Sequence, residues 1–301
     1  MRIGCAALYP ITRYGFPYSF DNYLLALREM REAGFHWVEM EVDVDLNLDT
    51  YLARRGEVRQ VFRENGLALS GVIGVVQQAF STDRTRADQT AERFARLCDL
   101  AEELDCDTVG ICAYVPDEIQ KIAGTELYPG SPPLGLRLPP GFEWQVFWEN
   151  AVSRFRNMCR IAAQHGQRLV IENRVGDWVS TSDGVLRLIE EAGEPNGGAL
   201  LDLAHTNASK EPLGLVIEKL KPRLMYVHLA DNDGTAQYHW PAGRGNIDFP
   251  EVFRSLRNAG YDGFANVDFG GVPPDQIWTE TGRGREYFEA CLAQIAEPSP
   301  S

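Results

Sequence analysis

Four short apolar segments in the second half of this 301-residue sequence each end in a side chain that can bind a cation. The four side chains are Glu172, Asp202, His228 and Asp268. Consecutive members lie 30, 26 and 40 residues apart, so we expect them at the same level of successive parallel strands that alternate with helices. Carboxylates with one imidazole at the carboxyl ends of parallel strands suit a hard divalent cation, in a place where enzymes do chemistry. The pattern predicts a catalytic metal site.

Further candidate residues lie close to these strand ends. His205 follows Asp202 by three residues, which places it near the same cation or near a substrate oxygen. His239 and Arg244 lie in the segment HWPAGRGNIDF, and for each the sequence leaves a substrate contact and a packing role equally open. Glu39 lies nearest the predicted end of the second strand and is expected to touch substrate, while the acids after it are expected to face solvent. A single strand-end acid often only caps a helix, but four successive cation-binding side chains favour ligands.

Short β-rich runs alternate with amphipathic helices along the whole chain. Eight strands are predicted, at Ile3–Leu8, Trp37–Val42, Ala68–Ile73, Thr108–Ala113, Leu169–Glu172, Ala199–Asp202, Met225–His228 and Ala265–Asp268. Apolar residues three and four positions apart predict helices between them, as in the stripe from Trp144 to Ala162. This alternation favours a single-domain (β/α)8 TIM barrel over residues 1–296, rather than an open doubly wound sheet. Residues 297–301 are expected to form a flexible tail.

One connection breaks this rhythm, between the predicted fourth strand and the helix that begins near Glu143. Residues 113–143 form a long insertion rich in proline, whereas a βα loop usually has about two to six residues. Because the insertion follows the carboxyl end of a strand, it belongs to the face where the metal site is expected. Its apolar residues, among them Tyr128 and Phe142, favour an ordered lid or an oligomer contact over disorder.

The composition argues for a globular protein that binds neither nucleic acid nor a membrane surface. The net charge is −14 at pH 7, whereas phosphate contacts need clustered lysine and arginine. No apolar run approaches the roughly 18 residues of a membrane span, and the first residues lack the pattern of a secretion signal. The six cysteines are scattered without a CxxC pair, as expected for buried thiols in a reducing compartment. We therefore expect a cytoplasmic location.

Four segments carry a resemblance to a known family: LVIENR, LLDLAHTN, HLADNDG and PAGRGNID. With the order of the strand-end residues, they resemble the xylose-isomerase-like TIM-barrel superfamily, specifically its sugar isomerase/epimerase branch, over nearly the whole chain. The resemblance implies one divalent cation, Mn²⁺ first and Mg²⁺, Co²⁺ or Zn²⁺ as alternatives, coordinated by Glu172, Asp202, His228 and Asp268. It also implies that His205 and Arg244 contact substrate oxygens.

By this resemblance the protein is expected to isomerise or epimerise a small keto sugar or a related polyol derivative. The cation would polarise the ketose carbonyl and acidify the neighbouring C–H bond. One carboxylate can then take the proton while a second returns it through an ene-diolate, and Glu172 and Asp268 are the natural pair. The expected partners are a small carbohydrate and further copies of the chain in a homo-oligomer.

Asp268 departs from the family pattern, because epimerases usually carry glutamate at this position. The missing methylene withdraws the carboxylate by about 1.3 Å, and a misplacement of about 1 Å can cost about 10²-fold in a proton transfer. Asp268 can therefore be a ligand only, or the chain can run a one-base elimination. The metal-dependent C-glycoside deglycosidases of this superfamily perform such an elimination on a 3-keto-glycoside, with a small partner subunit. A sugar-binding barrel that has lost catalysis is a third alternative.

The superfamily also contains endonuclease IV, a DNA-repair enzyme that uses three zinc ions. That site needs additional imidazoles on the third and fourth strands, where this chain has ALSGVI and TVGICA without a histidine. Together with the acidic net charge, this argues against a nuclease.

Overall fold

The computed structural model of the chain describes residues 1–296, and the predicted flexible tail, 297–301, lies outside the described residues. The strands are β1 (Arg2–Cys5), β2 (Trp37–Asp43), β3 (Ala68–Val75), β4 (Thr108–Cys112), β5 (Gln120–Lys121), β6 (Leu136–Arg137), β7 (Arg168–Glu172), β8 (Gly197–Asp202), β9 (Leu224–Leu229) and β10 (Phe264–Val267). The helices are α1 (Leu8–Tyr14), α2 (Phe20–Glu32), α3 (Leu48–Asn65), α4 (Arg84–Glu103), α5 (Trp144–Gln164), α6 (Ser182–Ala192), α7 (Leu203–Ala208), α8 (Leu213–Leu220), α9 (Phe249–Asn258) and α10 (Ile277–Ala296). All strands except the short β5 and β6 form one closed parallel barrel, so the predicted (β/α)8 TIM barrel is confirmed.

Closure of the barrel pairs the first strand with the last. β1 and β10 run parallel, with Arg2 opposite Phe264 and Cys5 opposite Val267. On its other side β1 pairs with β2 through Cys5 and Val38. The strands between follow chain order, so the carboxyl ends of all eight lie at one end of the barrel.

The strands are buried on both sides, because helices cover the outside of the barrel and side chains fill the inside. Every residue of β4 and β8 is buried, which explains why these segments read as continuous apolar runs. Side chains cap several helix starts: Thr181 accepts from the N–H of Gly184 at α6, and Asp248 accepts from the N–H of Glu251 at α9. The predicted strand ends differ from the observed ones by at most two residues, except that the first strand ends at Cys5 rather than Leu8, because Leu8 already begins α1.

A small apolar cluster fills the barrel interior, made of Ile73, Val170, Leu200, Tyr226 and Phe264. The hydroxyl of Tyr226 donates to Oγ of Ser70 at 2.9 Å, which satisfies the one polar group of this layer's tyrosine. A Cβ at Gly71 would lie 2.9 Å from the Tyr226 hydroxyl oxygen, so glycine leaves room for the ring. This packed layer supports the strand ends from inside the barrel.

Residues 113–143 join β4 to α5 and contain the antiparallel pair of β5 and β6. Val115 and Ile119 pack with Phe147 of α5 in a separate small cluster, which ties the start of this insertion to the helix layer. Its role as a lid or an oligomer contact stays a prediction, as do the homo-oligomer and the cytoplasmic location. Within residues 1–296, no helix has both the length and the hydropathy that a membrane span needs.

Candidate metal and substrate site

A cavity of about 510 Å³ opens at the carboxyl ends of the barrel strands. Six of the residues proposed from the sequence line it: Glu39, Glu172, His205, His228, His239 and Asp268. A seventh, Asp202, is fully buried directly against these side chains. The structure therefore brings together all but one of the proposed residues, the exception being Arg244.

Three carboxylates surround one nitrogen of His228 at the floor of the cavity. Nδ1 of His228 lies 3.3 Å from Oε1 of Glu172, 3.8 Å from Oδ2 of Asp202 and 3.7 Å from Oδ2 of Asp268. Glu172 and Asp202 are the last residues of β7 and β8, His228 lies in β9, and Asp268 directly follows β10. Four successive strands thus deliver four donor atoms to one point, as the spacing in the sequence predicts.

The other nitrogen of His228 is held by Glu39. Nε2 lies 2.9 Å from Oε2 of Glu39, whose Oε1 accepts from the N–H of Ala7 at 3.1 Å. Because an ionised carboxylate only accepts, Nε2 carries the proton and donates it to Glu39. Nδ1 is then left to face the three carboxylates, and only a second proton or a cation makes that arrangement favourable. Burial lowers the pKa of His228, but Glu39 and Asp268 outweigh it and raise the pKa well above the ordinary value.

A divalent cation fits this arrangement. Three carboxylates and one imidazole nitrogen form a donor set typical of a hard or borderline cation. A histidine ligand that donates its second N–H to a carboxylate is the common support of a protein metal site, since that bond fixes the tautomer and the ring orientation. Glu39, only 1% exposed, is placed to serve in this way behind His228.

Two further imidazoles, His205 and His239, stand beside the carboxylates, with ring centroids 5.1 Å apart. Nε2 of His239 lies 3.3 Å from Oδ2 of Asp202 and 3.5 Å from Oδ2 of Asp268. Burial lowers the pKa of His239, but Asp202 outweighs it and raises the pKa to about 9. This imidazole is therefore held as a donor toward both carboxylates.

His205 is held in the opposite protonation state. Its Nδ1 accepts from the backbone N–H of Val175 at 3.1 Å, so its remaining proton lies on Nε2. Burial lowers the pKa of His205 to about 4, against the opposing effect of Asp202. His205 is neutral at pH 7 and keeps one N–H donor for a hydroxyl or carbonyl oxygen.

The two carboxylates expected to move protons differ in their electrostatics. Burial raises the pKa of Glu172, but the hydrogen bond and charge of His228 outweigh it and lower the pKa to about 2. The thiol of Cys112, at the end of β4, donates to Oε2 of Glu172 at 3.0 Å and leaves Oε1 toward His228. Burial raises the pKa of Asp268 to about 6, against the opposing effects of His228 and His239. A base and a group that is partly protonated near neutral pH thus lie at one site.

Arg174 is a cavity residue that the sequence analysis missed. It follows Glu172 by two residues, lines the cavity, and places its guanidinium 5.1 Å from the ring centroid of Tyr114. Its nearest carboxylate oxygen is Oδ1 of Asp177, at 3.9 Å, which leaves most of its N–H donors for a bound molecule. The segment LVIENR indicates this position for Arg174, because alternate residues at a strand end point to the same side and Arg174 is two residues from Glu172.

Glu41 also lines the cavity, and the expectation that the acids after Glu39 face solvent is wrong at this position. Glu41 and Asp43 lie in β2 on the same side as Glu39, because alternate side chains of a strand share a face. Asp43 lines the cavity as well, so the expectation is also wrong there. Burial, with the charge of Glu39, raises the pKa of Glu41 to about 8, against the effect of Arg174.

Arg244 lies away from this site. Its Nη2 donates to Oε1 of Glu280 at 2.9 Å, its side chain is 43% exposed, and it is not among the described residues that line the cavity. The carboxylate of Asp231 gathers the N–H groups of Gly243, Gly245 and Ile247, at 2.9, 2.9 and 3.2 Å. The loop folds around Asp231 and carries Arg244 outward, so the predicted substrate contact gains no support.

The insertion reaches the same cavity. Tyr128, Gly130, Ser131 and Pro132 are lining residues. The hydroxyl of Tyr128 donates to the backbone carbonyl of Gln237 at 3.2 Å, and its ring stacks on Tyr238 with centroids 4.6 Å apart. The insertion and the loop after β9 therefore meet at the rim of the cavity.

Comparisons with known proteins agree with this architecture. The family model described as xylose isomerase-like TIM barrel matches residues 27–286. The chain is 24% identical over 163 residues to fructoselysine 3-epimerase of Shigella flexneri, covering 53% of the chain and 58% of that protein. It is 23% identical over 280 residues to ketose 3-epimerase of Arthrobacter globiformis, covering 91% of the chain and 86% of that protein.

A solved structure of D-psicose 3-epimerase from Clostridium cellulolyticum H10, with D-tagatose, shares the fold at a TM-score of 0.74 and 18% identity, over 97% of this chain and 99% of that one. The chain spans about half the length of the first curated relatives it matches. The family model, in contrast, extends from α2 to α10 and takes in every strand-end residue described above. The chain belongs to the xylose isomerase-like TIM-barrel family.

Proposed function

We propose that the protein is a divalent-metal-dependent isomerase or epimerase of a small keto sugar or a related polyol derivative. The observation that carries the proposal is the convergence of Nδ1 of His228 with three carboxylates at the cavity floor, while Glu39 holds Nε2. The names of two relatives, fructoselysine 3-epimerase and ketose 3-epimerase, support a sugar substrate and a proton transfer next to a carbonyl.

Glu172, Asp202, His228 and Asp268 would hold the cation, with Mn²⁺ first and Mg²⁺, Co²⁺ or Zn²⁺ as alternatives. When bound, such an ion polarises a carbonyl oxygen and makes the adjacent C–H bond more acidic. Glu39 contributes by fixing the tautomer and orientation of His228 rather than by touching the sugar. This changes the role that the sequence suggests for Glu39.

Glu172 and Asp268 would move the proton. Glu172 is ionised, and Cys112 and His228 each hold one of its oxygens, so it is a positioned base for the proton on the carbon next to the carbonyl. Asp268, directly after the neighbouring strand β10 and with Oδ2 3.7 Å from Nδ1 of His228, would return a proton at the opposite face of that carbon. His239 donates toward Asp268 and stabilises its ionised form after the transfer.

Arg174 and His205 would bind substrate oxygens. Each presents N–H donors to the cavity, and neither depends on titration near pH 7 to do so. Carboxylates dominate the walls, which favours a neutral sugar over a phosphorylated one. The insertion, through Tyr128, would cover the sugar from above as a lid.

The test is deuterium exchange with metal-loaded protein. Protein that has been stripped with a chelator and reloaded with Mn²⁺ is incubated with D-fructose or D-psicose in deuterated water. We expect interconversion with deuterium at the carbon next to the carbonyl. In Asp268→Asn, formation of the opposite epimer should fall by about 10²-fold or more, while exchange through Glu172 persists in one epimer.

Two results would redirect the proposal. Release of the aglycone from a 3-keto-glycoside, without exchange into ketoses, would favour the one-base elimination, with or without a small partner subunit. Absence of bound metal, together with full activity of Glu172→Gln and Asp202→Asn, would remove the metal-dependent mechanism altogether. A barrel that only binds sugar would retain affinity and show no metal-dependent exchange.

A further inference from the structure

Gln237 carries a side-chain amide that the protein itself leaves unsatisfied. The residue lies in the loop after β9, lines the cavity and is 1% exposed. Both Oε1 and Nε2 are buried without a hydrogen-bond partner within residues 1–296. Its backbone carbonyl, in contrast, accepts from the hydroxyl of Tyr128 at 3.2 Å and lies 3.0 Å from Nδ1 of His239.

An unpaired buried donor or acceptor costs about 1 to 3 kcal/mol, so native proteins rarely leave both groups of one amide unpaired. Gln167 makes a useful comparison, because its Oε1 is also buried and unpaired but its Nε2 donates to the carbonyl of Cys98 at 2.9 Å. Gln167 is not among the described residues that line the cavity. At Gln237 both groups lack a partner, and the residue lines the cavity that a ligand would enter.

The chemistry of a carboxamide indicates what that ligand offers. Nε2 donates and Oε1 accepts, side by side, which matches two neighbouring hydroxyl groups, one accepting and the other donating. An ionised carboxylate cannot do this, because it only accepts. Within the proposed sugar site, a carboxamide is suited to hydrogen-bond with two adjacent hydroxyl groups of the sugar.

The position of His239 indicates which part of the sugar meets this amide. Its imidazole extends from the carbonyl of Gln237 at Nδ1 to the carboxylates of Asp202 and Asp268 at Nε2. The backbone of Gln237 is therefore one imidazole ring away from these carboxylates, so a sugar whose reacting carbons lie at Asp268 would meet Gln237 with carbons further along its chain. On its other side Tyr128 ties it to the insertion.

We propose that Gln237 is a specificity-determining residue, whose carboxamide binds two adjacent hydroxyls of the sugar beyond the carbons that exchange protons. The proposal rests on the proposed function in taking the cavity as a sugar site. Tyr128 acts as a positioning residue, since it holds the backbone of Gln237 and not its amide.

The test pairs a near-isosteric variant with substrate analogues. Gln237→Met removes both polar groups at similar length, and Gln167→Met is the matched control for loss of a buried amide outside the cavity. kcat/KM is measured for D-fructose or D-psicose, whichever is turned over, and for its 4-, 5- and 6-deoxy analogues. We expect Gln237→Met to lower kcat/KM for the parent sugar by about 10- to 100-fold. In this variant, removal of either of two neighbouring hydroxyl groups from the sugar should cause no further decrease in kcat/KM.

Gln237→Glu keeps the acceptor and removes the donor. The difference in kcat/KM between the parent sugar and its deoxy analogue should therefore disappear at only one of the two positions. Identical discrimination among the analogues in the native protein and in Gln237→Met would overturn the proposal and assign the amide to an ordered water. If no ketose is turned over, equilibrium dialysis of the same sugars with Mn²⁺-loaded protein repeats the comparison. Sugar binding with the expected dependence on the two hydroxyl groups would then support the role of Gln237 and contradict the epimerase function. Absence of sugar binding would overturn both proposals.

Discussion

Nε2 of His228 and Oε2 of Glu39 lie 2.9 Å apart across the barrel, although 189 residues separate them in the chain. Through this contact a residue of β2 fixes the orientation of a proposed ligand on β9. Because Glu39 is nearly fully buried and also accepts from the N–H of Ala7, it has little freedom to follow a bound sugar. Its position supports a role in holding the metal ligand.

Glu39→Gln is expected to weaken metal binding without removing any ligand. An amide is a poorer acceptor than a carboxylate, so the tautomer and orientation of His228 would be held less firmly. We expect the affinity for Mn²⁺, measured by calorimetry, to fall by about 10- to 100-fold. Glu41→Gln is the control, since Glu41 lines the same cavity but has no hydrogen bond with His228 among the described contacts. Equal losses in both variants would refute the positioning role.

Arg174→Met is expected to weaken sugar binding and spare the metal. Loss of a charge-assisted hydrogen bond to a substrate oxygen corresponds to about a 10- to 100-fold rise in KM. Affinity for Mn²⁺ should stay the same or improve, because a neighbouring positive charge is lost. Arg168→Met, at the start of the strand that Arg174 follows and bound to Asp107 at 3.0 Å, is the matched control. An unchanged KM would place Arg174 outside the substrate site.

Tyr128→Phe isolates the contact between the insertion and the loop after β9. The variant removes the hydrogen bond to the carbonyl of Gln237 and retains the stacking on Tyr238. We expect KM for the sugar to rise by about three- to tenfold, with kcat within about twofold, because the loss is one neutral hydrogen bond that aids binding. Tyr287→Phe, on the exposed face of α10, should change neither constant. A fall in kcat with constant KM would contradict a role for the insertion in substrate binding.

Asp177→Asn is expected to change how stability depends on pH. The side chain is 4% exposed, and burial raises the pKa of Asp177 to about 6, against the opposing effect of Arg174. Since the unfolded chain releases this proton near its ordinary pKa, the native state loses stability as pH rises from about 4 to about 6. The variant cannot ionise, so in chelator it should be more stable than the native protein at pH 7.5 by up to about 3 kcal/mol.

This advantage of Asp177→Asn should shrink to about 0.5 kcal/mol at pH 4, where the folded protein keeps the proton and the unfolded chain keeps it in about half of its molecules. Urea unfolding at pH 4 and pH 7.5 measures the difference directly. Asp275→Asn, at an exposed position, should give the same stability difference at both pH values. A stability gap for Asp177→Asn that does not change with pH would contradict a raised pKa.

The positions of the proposed ligands could be predicted from the sequence because strand ends are set by short-range pattern. Apolar runs that stop at Glu172, Asp202 and His228 fix both the strand and the place of its last side chain. Parallel strands then bring those ends to one edge of the barrel without any knowledge of the loops. This explains why the fold and the four-residue cluster follow from the sequence.

The loops could not be predicted in the same way, because their conformations depend on tertiary contacts. The family resemblance implies a substrate contact for Arg244, whereas three N–H groups bound by Asp231 bend that loop outward. Gln237 carried no pattern at all, and its unsatisfied amide appears only when its surroundings are known. Arg174 lies two residues beyond the end of β7, and its place in the cavity depends on the conformation of the loop that begins there.

The four proposed ligands all come from the second half of the chain, whereas the acceptor that fixes their imidazole comes from β2. A partly folded chain in which only β7 to β10 have paired therefore holds every ligand and still lacks the group that orients one of them. Glu39 reaches His228 only when β2 joins these strands, through β1 on one side and through β3 and β4 on the other. We expect tight cation binding to appear late in folding, so that affinity for the ion reports on closure of the ring of strands.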